Sequence, residues 1–356
     1  MKKCTVGILY GGRSVEHEIS ILSATNIAEN IDLERYNIRL IGIDKMGRWH
    51  LCNSISQPIN DGQLLDLALN SEVPTFKFKN ESFTVDVVFP VLHGTDGEDG
   101  SIQGLLQSLN IPFVGSGVLG SAVSMDKLTA KVILQQDGIP VADFLAYSRF
   151  EQEQISFDNI KNSLGLPFML KPANLGSSVG VAKISSEDNF EQLVKDTFQY
   201  DNILLFEEYI NGKEMECAVF GNDNPVASVP GEINLSSDYE FYSFDAKYVD
   251  KDAASLVIPA KVSEEVSDLI RVNSLRSYEL LHCADLARVD LFVNDNGSVF
   301  VNEVNTMPGF TNISMYPRLM AFEGIGYKDL MTQLIEMALK RHQLKNELST
   351  NYESNL

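Results

Sequence analysis

The sequence predicts an α/β fold, with an open, mostly parallel sheet in the N-terminal part and α+β character in the C-terminal part. Near the N-terminus, apolar strand segments alternate with helical segments, which is the order of a parallel β-α-β arrangement. In the C-terminal third, several strand segments come first and longer helical segments follow. The chain has 356 residues, 44% of them hydrophobic, so it is long enough to build two or three domains with buried cores.

The N-terminal elements account for the parallel sheet. In chain order, the sequence predicts a strand over 4–10, a helix over 15–31, a strand over 36–44, a strand over 85–94, a helix over 101–110 and a strand over 111–115. Segment 85–94, VDVVFPVLHG, is almost continuously apolar, as expected for a buried parallel strand with a functional carboxyl end. Residues 45–80 are polar and less regular. We expect an open α/β domain over residues 1–120.

Two further domains are predicted after this one. Their elements are a helix over 121–138, strands over 144–148, 167–173 and 180–184, a helix over 186–200, a strand over 202–210, a helix over 263–283, a hairpin over 288–310 and a helix over 327–343. We expect a central domain over 121–210 and a C-terminal domain over 211–345. The C-terminal domain contains a polar, aromatic loop over 232–255, and residues 346–356 form a polar tail.

Charge and cysteine content disfavour several classes of function. The net charge is −21 and no cluster of Lys or Arg stands out, so nucleic-acid binding is disfavoured, and an anionic substrate needs local cations. The four cysteines are far apart and form no CxxC pair, which favours free thiols in a reducing cytoplasm over a zinc site or disulfides. No apolar run approaches the roughly 20 residues of a membrane span. We therefore expect a cytoplasmic protein without nucleic-acid or membrane partners.

Segment 171–180, KPANLGSSVG, has the composition of a phosphate-binding loop. Lys171 lies on a predicted strand and precedes a run of small residues, whose backbone N–H groups and hydroxyls can surround phosphate oxygens. The Walker pattern GxxxxGK[ST] is absent, so a P-loop is excluded. The alternative is a β-hairpin connection rich in Gly and Ser. We favour the phosphate-binding interpretation.

Three other segments suit more than one role. The segment FEEYINGKE, residues 206–214, has two interpretations. Either its backbone groups and Tyr209 hold a purine base while Glu214 binds a ribose hydroxyl, or the segment is a solvated strand end. His93 follows a buried strand at the edge where open α/β sheets bind ligands, and it is either catalytic or structural. The GxGxxG match at 115–120 is followed by no strand that ends in an acid, so a turn and helix start is the better interpretation.

The hairpin over 288–310 gives the strongest local evidence. Asn296-Gly297 predicts a two-residue type I′ turn, which sets the register of the two strands. Asp290 then faces Glu303, although like charges opposite each other destabilise a sheet. This unfavourable pair needs a physical explanation.

Three explanations would make the carboxylate pair acceptable. The first is that Arg288, which faces Asn305 on the same side, neutralises both acids. The second is that one acid is protonated, and the third is that a metal ion binds both. We favour the metal, because Asn305 adds a third hard oxygen ligand of the kind that Mg²⁺ prefers beside substrate phosphates. Magnesium, a phosphate loop and the lysines Lys127 and Lys171 together indicate phosphoryl transfer from a nucleotide.

Seven segments occur in the order found in one enzyme family. They are GGRSVEHEIS, FPVLHGTDGEDGSIQGLLQ, SAVSMDK, KPANLGSSVG, FDAKY, ARVD and NEVNTMPGFT. Over about residues 4–342, the chain resembles the D-alanine:D-alanine ligases of the ATP-grasp superfamily. This resemblance implies a three-domain ATP-grasp fold, in which ATP lies between the central and C-terminal domains and an N-terminal pre-ATP-grasp domain precedes them.

The resemblance also implies a reaction. ATP phosphorylates the carboxylate of a first D-alanine, and the amine of a second D-alanine attacks the acyl phosphate and displaces phosphate. The products are ADP, phosphate and D-alanyl-D-alanine, a precursor of peptidoglycan. No residue forms a covalent intermediate, so positioning and electrostatics supply most of the catalysis. Two Mg²⁺ ions, with Mn²⁺ as a substitute, are the implied metals, and a homodimer is the family expectation.

The family's functional residues are carried over by motif. The implied metal ligands are Asp290, Glu303 and Asn305. The implied ATP contacts are the lysines Lys127, Lys171 and Lys247, the loop serines Ser177 and Ser178, the adenine-binding residues Glu207, Glu208, Tyr209 and Ile210, and the ribose-binding Glu214. The implied substrate contacts are Glu16, His93, Lys247, Tyr248, Arg288 and Ser314. Among the implied catalytic residues, Glu16, Ser177 and Tyr248 form a hydrogen-bonded triad, and Arg288 with the backbone N–H of Gly309 stabilises the oxyanion.

The loop over 232–255 is implied to be a lid that excludes water from the acyl phosphate. Lys247-Tyr248 in this loop resembles dipeptide-forming members, which disfavours D-lactate as second substrate but excludes D-serine less firmly. Tyr209 stands where many relatives have Trp, and Ile313 where many have His. The alternatives are a D-Ala:D-Ser ligase and a non-catalytic nucleotide-binding regulator. The intact phosphate and metal residues disfavour the regulator.

Overall fold

The computed structural model describes residues 3–68, 74–236 and 254–349. The helices are α1 (His17–Asn30), α2 (Ser101–Ser108), α3 (Val118–Met125), α4 (Lys127–Gln136), α5 (Phe157–Leu164), α6 (Phe190–Thr197), α7 (Glu264–Leu280), α8 (Met315–Phe322) and α9 (Tyr327–Asn346). Short 3₁₀ helices span Ile59–Asp61 and Arg149–Gln154. Within the described ranges, no helix has both the length and the apolar character that a membrane span requires.

The strands of the described residues form four sheets, and together with the helices they confirm the predicted α/β class. The strands are β1 (Cys4–Gly11), β2 (Tyr36–Ile43), β3 (Trp49–Cys52), β4 (Gln63–Leu64), β5 (Asp66–Ala68), β6 (Thr75–Phe78), β7 (Glu81–Phe83), β8 (Val87–Val91), β9 (Phe144–Ser148), β10 (Phe168–Pro172), β11 (Ala182–Ile184), β12 (Ile203–Glu208), β13 (Gly212–Phe220), β14 (Val226–Ala227), β15 (Gly231–Leu235), β16 (Ala254–Val257), β17 (Leu286–Asn294) and β18 (Val299–Asn305).

The N-terminal sheet contains the parallel strands that the sequence predicts. Its order is β4-β3-β2-β1-β8, and β1 runs parallel to both β2 and β8. All residues of β8 are buried, in agreement with the continuous apolar run there. The strand predicted over 111–115 is wrong, because Phe113 forms only an isolated bridge to Val88. Part of segment 45–80, predicted to be irregular, belongs to the small sheet β5-β6-β7.

The central sheet has an aromatic face and a second face that carries charged groups of the site. Its order is β11-β10-β12-β9, with antiparallel neighbours throughout. Phe206 packs against Phe168 in an aromatic core that includes residues of α5 and α6. Because strand side chains alternate between faces, Glu207 lies on the opposite side, where it meets Lys171. This second face therefore carries charged groups toward the C-terminal sheet.

A helix predicted over 121–138 is broken in two at Asp126. The backbone of Asp126 is extended (φ −78°, ψ 99°), and its Oδ1 accepts a hydrogen bond of 2.7 Å from the backbone N–H of Thr129. This is the geometry of a helix N-cap, which Asp favours strongly. The break makes Lys127 the first residue of α4, and its N–H donates to the backbone oxygen of Ala173 at 3.0 Å. Lys127 is thereby fixed beside segment 171–180.

The C-terminal sheet has the order β16-β15-β13-β17-β18, with β14 paired to β13. Asp290 faces Glu303 in this sheet, as predicted from the hairpin sequence. The predicted two-residue turn, however, is wrong. The backbone N–H of Asn294 donates to the oxygen of Ser298 at 3.1 Å, so the loop has three residues, and Gly297 has a φ of +84°. This is a type I turn followed by a glycine bulge.

A second irregularity restores the predicted facing pairs. Leu291 faces Val301 whereas Asp290 faces Glu303, so Asn302 is an extra residue in β18. Such a β-bulge shifts the register by one residue. Without it, the three-residue loop would place Asn302, and not Glu303, opposite Asp290. The predicted pairs are correct because the two irregularities compensate.

The buried carboxylate of Asp285 connects Gly115 in the N-terminal part of the chain to Arg341 on the last helix. Asp285 is fully buried, and its Oδ2 lies 2.9 Å from Arg341 Nη2 on α9. The same carboxylate accepts hydrogen bonds from the Gly115 N–H (2.8 Å) and the Asn222 side-chain amide (2.7 Å). Burial raises the pKa of Asp285, and the charge of Arg341 opposes this effect. The charged form of Asp285 therefore depends on the positive charge of Arg341.

Replacing Arg341 by Met is expected to lower the free energy of unfolding by about 3–5 kcal/mol, because a buried carboxylate loses its cation. Urea unfolding followed by circular dichroism measures the loss. The double variant Arg341→Met/Asp285→Asn, which removes both charges, should recover part of the stability. A loss below about 1 kcal/mol in Arg341→Met, typical of a surface substitution, would contradict a structural role for this pair.

Candidate active site

Two adjoining cavities lie where the N-terminal, central and C-terminal sheets meet. The first, of about 340 Å³, lies between the central and C-terminal sheets. The second, of about 430 Å³, lies between the carboxyl edge of the N-terminal sheet and the C-terminal sheet. Lys127, Glu216 and Glu303 line both cavities. A molecule in the first cavity can therefore meet a molecule in the second at these charged groups.

The first cavity contains the residues predicted to bind ATP in the described part of the chain, apart from Ser177. Lys127 Nζ donates to the backbone oxygen of Leu175 at 2.8 Å and lies 3.2 Å from Glu303 Oε2. The cavity is also lined by the predicted residues Lys171, Ser178, Glu207, Glu208, Tyr209, Ile210 and Glu214, and by the apolar residues Met169, Leu175, Val181, Leu291 and Phe292. Apolar walls with a small number of polar groups among them suit a nucleotide.

Lys171 is held between two elements of the site. Its Nζ lies 2.8 Å from Glu207 Oε2 on β12 and donates to Asn302 Oδ1 on β18 at 3.1 Å. Sequence reasoning missed Asn302, because only the bulge in β18 turns this residue toward Lys171. No local signal in the sequence marks that bulge.

The predicted metal ligands form one charged group on β17 and β18. Arg288 binds Asp290 through two hydrogen bonds, Nε to Oδ1 at 2.6 Å and Nη2 to Oδ2 at 2.7 Å. The Asn305 amide nitrogen lies 3.0 Å from Asp290 Oδ2, and Glu303 pairs with Lys127. Within the described residues, no group of three or more His, Cys, Asp or Glu side chains is arranged to hold a metal. Two carboxylates and an amide nevertheless supply the oxygen donors that fit Mg²⁺ when phosphates complete its shell.

Glu216 is a buried acid of the site that sequence reasoning missed. On β13 it faces Asp290 directly, so Glu216, Asp290 and Glu303 form a row across three strands. Glu216 Oε2 lies 3.2 Å from Arg288 Nε. Arg288 is therefore held by two carboxylates. The register between β13 and β17 could not be predicted, because these strands are far apart in the sequence.

Glu16 and Ser177 meet in the second cavity, as the resemblance implies. The Ser177 hydroxyl donates a hydrogen bond to Glu16 Oε1, and both side chains are buried. Ser177 and Ser178 have left-handed φ values of 53° and 58°, which cost energy in residues other than glycine and often occur at functional sites. A Cβ atom at Gly176 would approach Glu16 Oε2 to 2.8 Å. This glycine leaves space for the carboxylate.

Two predicted residues, Lys247 and Tyr248, lie outside the described residues. The same holds for positions 237–253 of the predicted lid over 232–255. The participation of Tyr248 in a triad with Glu16 and Ser177 therefore remains a prediction.

The loop after β18 forms another wall of the second cavity. Arg288, Gly309 and Ser314 all line it. Ser314 Oγ accepts a hydrogen bond from the Thr311 N–H at 3.0 Å. A Cβ atom at Gly309 would lie 2.9 Å from Ser314 Oγ, so only glycine permits this close approach without displacing the hydroxyl. The predicted oxyanion and carboxylate-binding groups are thus brought together.

His93 lines the second cavity and fastens this loop to the N-terminal sheet. Its Nδ1 lies 3.0 Å from the backbone oxygen of Met307, and its Nε2 lies 2.9 Å from Ser23 Oγ. A carbonyl only accepts, so Nδ1 carries the proton and Nε2 accepts from the Ser23 hydroxyl. Ser23 Oγ in turn accepts from the Phe310 N–H at 3.2 Å. Both ring nitrogens form hydrogen bonds with other residues of the protein. His93 therefore has the structural role, which was one of the two roles that the sequence left open.

Protonation of His93 is expected to destabilise the folded chain in mild acid. Burial, with a smaller contribution from Arg288, lowers the pKa of His93 to about 4, against an opposing hydrogen bond to Met307. The unfolded chain takes up this proton near pH 6.5, so stability present above that pH is lost as the pH falls toward 4, by about 3 kcal/mol. Urea unfolding between pH 7 and 4.5 measures this loss. His93→Gln should show a shallower pH dependence, and equal slopes would contradict the assignment.

Glu98 adds a second acid close to Glu16. It accepts hydrogen bonds from the backbone N–H groups of Gly94 (2.7 Å) and Met307 (3.2 Å). Burial, and then the charge of Glu16, raise the pKa of Glu98 to about 8. Burial and the nearby carboxylate of Glu16 therefore both favour the protonated form of Glu98. Sequence reasoning missed Glu98, although it lies only five residues after His93.

Comparison with known proteins identifies the family. The family profile described as "D-ala D-ala ligase N-terminus" matches residues 5–116, and "D-ala D-ala ligase C-terminus" matches residues 133–336. The chain is 46% identical over 365 positions to D-alanine–D-alanine ligase A of Escherichia coli, covering 98% of this chain and 100% of that protein. It is 48% identical over 366 positions to D-alanine–D-alanine ligase of Oceanobacillus iheyensis, covering 99% of each.

Solved structures agree with these matches. The D-alanine-D-alanine ligase from Coxiella burnetii superposes with a TM-score of 0.87 at 36% identity, covering 98% of this chain and 97% of that one. The VanG D-Ala:D-Ser ligase from Enterococcus faecalis superposes with a TM-score of 0.85 at 33% identity, covering 95% and 100%. Together with the profiles, the identities and the site geometry, these matches show that the chain belongs to the D-alanine–D-alanine ligase family.

Proposed function

We propose that the chain is an ATP-dependent ligase that joins two D-alanines to D-alanyl-D-alanine, releasing ADP and phosphate, for peptidoglycan synthesis. The observation that carries this proposal is the junction of the two cavities. There Lys127 and Glu303 face both a nucleotide-sized space and a space lined by Arg288 and Ser314. Relatives that share 46–48% of the sequence over nearly the full length are D-alanine–D-alanine ligases.

In the first step, a carboxylate oxygen of the first D-alanine attacks the γ-phosphorus of ATP, and ADP leaves. The ammonium group of this D-alanine binds Glu16 in the second cavity, and its carboxylate faces the junction. Lys127 and Lys171 attract the phosphate oxygens, and this fixed positive charge lowers the cost of bringing two anions together. Positioning in two adjoining cavities supplies much of the remaining rate enhancement.

In the second step, the amine of the second D-alanine attacks the carbonyl carbon of the acyl phosphate. Arg288 and the backbone N–H of Gly309 stabilise the oxyanion that forms, and Ser314 holds the carboxylate of the second D-alanine. Phosphate then leaves with one oxygen of the original carboxylate. His93, beside the substrates, keeps the loop that carries Gly309 in place.

The metal site follows from the chemistry of the donors. Asp290, Glu303 and Asn305 would hold two Mg²⁺ ions, or Mn²⁺, together with phosphate oxygens of ATP. The metal would draw negative charge from the transferred phosphoryl group. The facing pair of Asp290 and Glu303 supports this proposal, because it brings two carboxylate ligands together beside the cavity that suits the phosphates.

The remaining expectations are proposals of the same kind. They comprise domains over 1–120, 121–210 and 211–345 with a tail over 346–356, a lid over 232–255 that carries Lys247 and Tyr248, a cytoplasmic location and a homodimer. D-serine as second substrate is not favoured, although a D-Ala:D-Ser ligase shares the fold.

An assay of purified protein with ATP, Mg²⁺ and amino acids tests the proposal. We expect D-alanine-dependent release of phosphate and a product with the mass of D-alanyl-D-alanine. An equimolar mixture of D-alanine and D-serine should give mainly the homodipeptide. No D-alanine-dependent phosphate release would contradict the ligase, and a predominance of D-alanyl-D-serine would select the alternative. Omitting D-alanine controls for simple ATP hydrolysis.

A further inference from the structure

Lys131 is a buried lysine to which the reaction described above assigns no role. It lies on α4 one turn after Lys127, and its side chain is 1% exposed. Its Nζ lies 3.3 Å from Glu207 Oε2. An uncompensated buried charge is strongly destabilising, so this lysine depends on the carboxylate of Glu207. The pair therefore belongs to the interior wall of the first cavity.

The two oxygens of Glu207 have different surroundings. Oε2 meets both Lys131 and Lys171, at 3.3 Å and 2.8 Å. Oε1 is also buried, and no hydrogen-bond partner for it occurs among the residues that the structure describes. A buried acceptor without a partner costs about 1–3 kcal/mol. Glu207 lines the first cavity, so a ligand bound there can supply the hydrogen-bond donor that Oε1 lacks.

The two lysines differ in what they can do when a nucleotide binds. Lys171 lines the cavity beside the phosphate loop, so phosphate oxygens compete with Glu207 for its ammonium group. Lys131 is not part of the lining of either cavity, and its ammonium group faces Glu207. Lys131 is thus the cation that stays with Glu207 after the phosphates have attracted Lys171.

Charge balance supports this division of roles. Burial by itself raises the pKa of Glu207, but Lys131 and then Lys171 outweigh burial and leave this pKa below its ordinary value. Burial lowers the pKa of Lys131 to about 8, and the charge of Glu207 opposes that change. At neutral pH the carboxylate is therefore ionised, and both of its oxygens accept hydrogen bonds without donating any.

We propose that Lys131 determines specificity for the base of the nucleotide, by keeping Glu207 an acceptor-only carboxylate whose Oε1 receives the amino group of adenine. A 6-oxo purine presents an acceptor at that position, so it would face Oε1 with no proton between the two oxygens. Buried polar groups left unpaired in this way reject an analogue strongly. The inference rests on the proposed use of ATP.

The test compares ATP with ITP, which carries an oxo group where ATP has the amino group. The wild-type chain should prefer ATP in kcat/KM, and Lys131→Met should lower that preference by about tenfold or more, mainly through KM. Met keeps an apolar stem of similar length but removes the charge. Lys195→Met, on an exposed position of α6, is the matched control and should keep the wild-type preference. A folded Lys131→Met variant with the wild-type ratio would overturn the inference.

A second pair of variants covers the case in which Lys131→Met does not fold. Glu207→Gln offers an amide that both donates and accepts, and Lys131→Met/Glu207→Gln removes both buried charges. Each should bind ADP and IDP with similar affinity in calorimetry, whereas the wild type should prefer ADP. A retained preference for ADP in the double variant would overturn the inference. Absence of any ATP-dependent ligation by the wild type would instead contradict the proposed function.

Discussion

Replacing Arg288 by Lys is expected to lower kcat by about 100- to 1,000-fold, the effect of losing one group that stabilises an oxyanion. Arg288 presents two parallel N–H groups to Asp290 and keeps Glu216 within 3.2 Å. Lysine retains the positive charge but not this planar fork, so it cannot hold both acids and still face the reacting carbonyl. The KM for ATP should change little, because Arg288 is not part of the first cavity.

Initial rates at saturating ATP and D-alanine measure the effect of Arg288→Lys. Arg35→Lys is the matched control, since Arg35 is about half exposed, pairs with Glu336 and does not line either cavity. Its kcat should equal that of the wild type. Urea unfolding of both variants separates a catalytic defect from a loss of stability. A kcat within threefold of the wild type in a stable Arg288→Lys variant would argue against an oxyanion role.

The second large effect is expected for Glu303→Gln. This change keeps the shape of the side chain but removes the charge that faces Asp290 and Lys127. Residues that only support a metal ligand change metal affinity by about 10- to 100-fold, so loss of a ligand should raise the Mg²⁺ concentration needed for half-maximal activity at least as much. We also expect a severe loss of kcat at saturating Mg²⁺.

A magnesium titration of ligase activity measures this prediction at fixed ATP. Glu279→Gln, an exposed position on α7, is the matched control and should give the wild-type curve. Titration of Mn²⁺ in parallel shows whether a different ion compensates. If Glu303→Gln responded to Mg²⁺ as the wild type does, Glu303 would not be a metal ligand.

Local signals made much of the fold and site predictable. The apolar run of β8 predicted a buried parallel strand, and the strand is buried throughout. The pair of Asp290 and Glu303 was predicted from a hairpin of which both strands lie in one segment of sequence. Lys171 was predicted from the small residues that follow it. In each case the residues that determine the outcome are close together in the chain.

The features that could not be predicted depend on contacts between distant segments. Glu216 joins the site through the pairing of β13 with β17, and Ser23 through its contact with His93. In the sequence, nothing distinguishes Lys131 from other helix residues. Its role depends on the packing of α4 near Glu207 on β12. The turn at Gly297 was predicted wrongly, because the sequence does not reveal the compensating bulge.

Transfer of ¹⁸O from substrate to phosphate tests the central claim most directly. If ATP activates the carboxylate of the first D-alanine, D-alanine labelled with ¹⁸O in both carboxylate oxygens must pass one labelled oxygen to the released phosphate for each dipeptide formed. Mass spectrometry of the phosphate and of the dipeptide measures both products of the same reaction. We expect one ¹⁸O per phosphate and three per dipeptide. Dipeptide formation with unlabelled phosphate would contradict an acyl phosphate at this site.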